Sequence, residues 1–79
     1  MPNARAAFLA DVLAAAVGRE PRVSETASVT RVEVDLPSAP SPRTRTAILA
    51  ALANADRFGH DRAGGRESVW AEVEREKAP

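Results

Sequence analysis

The sequence contains no cysteine and no tyrosine, and it has only two phenylalanines, one tryptophan and one histidine among 79 residues. Without cysteine, neither a disulfide framework nor a thiolate metal site is available, which fits a reducing compartment. Few aromatics in so short a chain leave a modest core, and a net stability of ~3–5 kcal/mol is expected of one small domain. Charge of one sign is missing too: eleven basic and eleven acidic residues cancel. A dedicated nucleic-acid binder is usually basic, because phosphate contacts supply much of its affinity. No apolar run approaches the ~20 residues that span a membrane. Asp11 interrupts the apolar stretch near the start, which reads poorly as a signal peptide. These absences together lead to the expectation of a cytoplasmic chain that does not engage membranes.

What is present is patterning. Phe8, Leu9, Val12, Leu13, Ala16 and Val17 recur at helical spacing and predict a helix over residues 3–17, capped by Asn3 and ended by Gly18. Residues 19–28 lose periodicity and read as a loop, with a short extended piece at 22–24. Residues 29–36 alternate: Val32, Val34 and Leu36 point one way, and Arg31, Glu33 and Asp35 the other. That is a half-buried strand. A proline-rich connector fills 37–40. Ser41 followed by Pro42 opens a second helix, predicted over 42–56. Its first turn carries Arg43 and Arg45, where the helix dipole disfavours cations.

The rare residues gather in "ADRFGHDRAGGRESVWAEVE", residues 55–74. Two extended runs flank Ala-Gly-Gly, which predicts a β-hairpin over 57–74, followed by a tail over 75–79. A two-residue Gly64-Gly65 turn pairs Phe58 with Ala71, Gly59 with Trp70, His60 with Val69 and Arg62 with Glu67. Phe58, Val69, Ala71 and Val73 then share the core face, and Phe58 meets the second helix near Ile48 or Leu52. Trp70 takes the other face, over the bare Gly59. A three-residue turn instead sets Phe58 beside Trp70. It segregates apolar residues less well.

The expected fold is therefore α+β: helix, strand, helix and hairpin, with a three-stranded sheet packed on helices. The first helix either packs beside the second or covers Trp70. The order resembles a winged-helix layout that lacks one helix, since residues 37–40 leave no room for it.

Chemistry has little to work with. His60 is the sole imidazole, and only a three-residue turn would bring it opposite Ser68. No metal set, cofactor loop or small-molecule site emerges, because adjacent strand residues such as His60 and Asp61 face opposite ways. The expectation is a non-catalytic binding module acting through protein contact or self-association, with Trp70, Arg57 and His60 as partner-binding residues. The alternative is DNA binding by an arginine face of Arg43, Arg45, Arg57, Arg62 and Arg66, a helix start and a wing acting together.

Overall fold

The structure is a computed structural model and describes residues 4–75. Its elements are α1 (Ala4–Val17), β1 (Arg22–Glu25), β2 (Val29–Asp35), α2 (Pro42–Leu52), β3 (Arg57–Ala63) and β4 (Arg66–Glu74). The four strands form one sheet in the order β1-β2-β4-β3, and every neighbouring pair is antiparallel. β2 and β3 therefore run in the same direction on either side of β4, joined through α2. The fold is α+β, as the periodicities require.

Alternation in β2 and β4 sets the core. Thr30, Val32 and Val34 of β2 and Val69, Ala71 and Val73 of β4 are buried on one face. Ala6, Leu9, Ala10 and Leu13 of α1 pack against them, and Ile48, Ala51 and Leu52 of α2 complete the cluster. Phe8 departs from the expected stripe. The buried line of α1 runs through residues 6, 9, 10 and 13, and Phe8 stands one position off it, 60% exposed. The Thr30 hydroxyl is buried with no hydrogen-bond partner, a small standing cost in an otherwise apolar layer.

The sheet has four strands where the sequence predicts three. The short extended piece expected at 22–24 is β1, Arg22–Glu25, and it joins the sheet although all four side chains are exposed and no burial pattern assigns it there. Polar contacts hold the strand instead. The Arg22 guanidinium donates to both Asp35 carboxylate oxygens at 3.2 and 3.0 Å, and Thr26 Oγ1 accepts the Ser28 and Val29 N–H groups to fix the turn into β2.

α2 opens as predicted. Ser41 Oγ accepts the Thr44 N–H at 3.1 Å, with Pro42 in the first turn. It closes four residues early, at Leu52. Asn54 and Ala55 donate to Ala51 and Leu52, a tighter winding that ends the helix. Asn54 Nδ2 also donates to the Ala50 carbonyl. α1 begins at Ala4, and the expected cap Asn3 lies outside the described residues. Of the expected tail, only Arg75 lies within them.

Asp56 ties the upper end together. Its Oδ2 accepts the Glu74 N–H at 2.7 Å, and its Oδ1 faces Arg5 Nη2 of α1 at 3.3 Å. The Glu74 N–H, helped by Arg5, holds the Asp56 carboxyl below the usual carboxylate range.

Candidate interaction surface

Gly64 and Gly65 form the hairpin turn with φ of 59° and 79°. Two consecutive positive φ values are the geometry of the tight two-residue turn. The register follows: Phe58 opposes Ala71, Gly59 opposes Trp70, His60 opposes Val69 and Arg62 opposes Glu67. This register divides the hairpin's side chains between two faces.

Both helices stack on the face that carries the core, so the other face is open. Trp70 stands there, as its register requires. Its indole lies across Gly59, where a Cβ would come within 2.5 Å of Cζ2. Arg31 covers the ring from the neighbouring strand, with its guanidinium carbon 4.4 Å from the ring centroid. Trp70 is thus half-buried by its sheet neighbours rather than by α1. The charges around it close on one another. Arg31 reaches Glu72 at 3.3 Å and Asp61 at 3.8 Å, and Arg57 reaches Glu72 at 3.2 Å and Glu74 at 3.5 Å. Glu72 raises the affinity of Arg57 for its proton. Ser68 donates to Glu33 at 3.0 Å.

The helical face of β3 differs from the expectation. Its side chains there are Phe58, His60 and Arg62, and none of the seven residues of β3 is buried. Phe58 is on the core side of the sheet, yet it is 53% exposed and not enclosed against α2. The reason is coverage: the buried layer stops at β4, and the helices do not extend over the outermost strand. His60 Nε2 lies 3.0 Å from Glu67, which also accepts from Arg62 at 2.7 Å. Arg62 first, then His60, pulls the Glu67 carboxyl below its ordinary range.

Of the three expected partner-binding residues, the sheet brings Trp70 and Arg57 onto the open face and sets His60 on the other. His60 and Ser68 are likewise on opposite faces, so the Ser–His contact does not form. Among the described residues no group of three or more His, Asp or Glu side chains is placed to hold a metal ion, and no helix is long and apolar enough to cross a membrane. The sheet does not put the hairpin arginines on one face. Arg43 and Arg45 are exposed in the first turn of α2. Arg57 and Arg66 share the open face but sit at opposite ends of it, roughly 20 Å apart at ~3.3 Å per residue, and Arg62 is on the helical face.

Sequence reasoning missed the exposed apolar residues: Phe8, Leu49, Phe58 and, on β1, Val23. The signal for Phe58 was available. Its face of β3 reads Phe, His, Arg, which is one apolar residue in three and not the pattern of a covered strand. Comparison with protein-family models, with curated proteins and with solved structures finds no match for this chain.

Proposed function

We propose that this chain is a small non-catalytic binding module that works by protein–protein contact, including contact between its own copies, at the uncovered β3 side of the helical face. The observation that carries this reading is that Phe58, one of only two phenylalanines, lies on the core side of the outermost strand and is left more than half exposed. A small domain short of apolar area gains by burying such residues, and exposed aromatics are favoured anchors in interfaces. His60 belongs to this surface and Arg57 stands on the same edge strand; Trp70, on the open face, serves the sheet that presents it. The cysteine-free composition suits a cytoplasmic setting.

The test separates contact from folding. Phe8→Ser, Leu49→Ser and Phe58→Ser, each measured by denaturation at high dilution, are expected to change stability by less than about 1 kcal/mol, well below the cost of truncating a buried aromatic. The triple variant is expected to remain folded and to lose any concentration-dependent sedimentation that the wild type shows. A large loss of stability in the dilute single variants would assign these residues to the monomer's own core and remove the reading. A mobility shift on mixed-sequence duplex at low salt, abolished by Arg43→Ala with Arg45→Ala, would favour DNA as the partner instead.

A further inference from the structure

We infer that the partner of the β3 edge is a second copy of this chain, paired antiparallel to it about a two-fold axis through Gly59. The inference rests on the binding-module reading and gives it an occupant. β3 is an edge strand of seven residues. The tight Gly64-Gly65 turn makes Ala63 and Arg66 a hydrogen-bonded pair, and antiparallel alternation then directs the N–H and C=O groups of Phe58, His60 and Arg62 away from β4. The free edge therefore offers backbone donors and acceptors beside the residues whose side chains the helices leave uncovered. The opposite edge, β1, is only four residues long and carries Arg22 and Glu25, which suits a strand that stays unpaired.

The side chains of β3 are self-complementary about Gly59. Reading outward from it, Phe58 is matched by His60 and Arg57 by Asp61. In a pair of copies with Gly59 opposite Gly59, each Arg57 faces the partner's Asp61 on the open face. Each Phe58 faces the partner's His60 on the helical face. The two Phe58–His60 pairs exchange four backbone hydrogen bonds. Moving the axis to Phe58 sets Arg57 against Gly59, and moving it to His60 sets Phe58 against Arg62 and Gly59 against Asp61, so both shifts lose the matched charges. Asp61 has capacity to spare, since it is more than half exposed and its contact with Arg31 is long at 3.8 Å. With zero net charge the copies do not repel as wholes. The result is a continuous eight-stranded sheet with all four helices on one side. So short a pairing is a small interface, and association is expected only at high protein concentration.

The chain's lack of cysteine permits a register-specific test. Phe58→Cys and His60→Cys are made as separate full-length variants, at positions exposed enough to leave the fold intact, and one is isotopically labelled. In the inferred register the two thiols stand opposite each other with Cα atoms ~5.5 Å apart, within the ~4.4–6.8 Å that a disulfide spans. Two copies of the same variant place their cysteines on a diagonal ~7–8 Å apart, which exceeds the reach of a disulfide. Under mild oxidation at high concentration, the mixed disulfide is expected to exceed either like-with-like product several-fold. Dominant Phe58→Cys homodimers would put the axis elsewhere and overturn the register. A wild type that sediments as a monomer at every concentration overturns the second copy as partner; the binding-module reading is judged separately, by the dilute stability of the serine variants. A wild-type dimer whose cysteine variants do not cross-link overturns the β3 edge but keeps self-association.

Discussion

Leu13→Ala is expected to leave the protein largely unfolded at room temperature. Leu13 is completely buried, and it lies in the one stripe of α1 that faces the sheet. Removing most of a buried leucine costs about 2–5 kcal/mol, with the larger values where the site does not collapse around the cavity. Here collapse is restricted. On the sheet side the apolar members of the cluster are valines and Ala71, which have little reach to fill a void. A domain of this size has a total stability of only ~3–5 kcal/mol, so the loss and the reserve are comparable. Urea denaturation followed by circular dichroism measures it, with the variant expected to show a shallow or absent folded baseline. A cooperative transition less than about 1 kcal/mol below the wild type would mean that α1 does not seal the core.

Gly59→Ala is the second large effect, and its cause lies on the opposite face. The added Cβ would stand 2.5 Å from Trp70 Cζ2, 2.6 Å from Cε2 and 2.8 Å from Nε1. An indole is rigid and cannot yield by rotating an end. It must leave its place over residue 59, which also takes it from beneath Arg31. Overpacking of this kind costs about 1–3 kcal/mol. The same substitution in a Trp70→Ala background has nothing to strike and is expected to cost far less. A double-mutant cycle reads this directly as a coupling between the two positions. Equal costs in the two backgrounds would mean that the ring does not rest on Gly59.

Much of this was legible in the residues. The Gly-Gly pair, with alternation on either side, defined the hairpin register, and the register alone placed Trp70 on the open face. Ser41-Pro42 marked the start of α2, and the alternation of Val32 and Val34 marked β2. What escaped was set by tertiary context. β1 is held by Arg22–Asp35 and by backbone pairing with β2, and neither leaves an apolar period to read. The exposure of Phe58 depends on how far the helices reach across the sheet, which no local pattern encodes. The arginines looked like one basic surface because they cluster in sequence, but strand alternation sends Arg57 and Arg62 to opposite faces, and both meet carboxylates there.

The proposed contact surface of this protein is the free edge and helical face of β3. Amide hydrogen exchange, residue by residue, at low and high protein concentration tests it most directly. The Phe58, His60 and Arg62 amides point to the free edge, so in the dilute monomer they exchange fast. At high concentration exchange at Phe58 and His60 is expected to slow, with Arg62, which lies beyond the paired segment, and the Val23 and Glu25 amides on the β1 edge unchanged. Exchange at Phe58 and His60 that is indifferent to concentration, or protection that appears on β1 instead, would mean that β3 is not the contact surface.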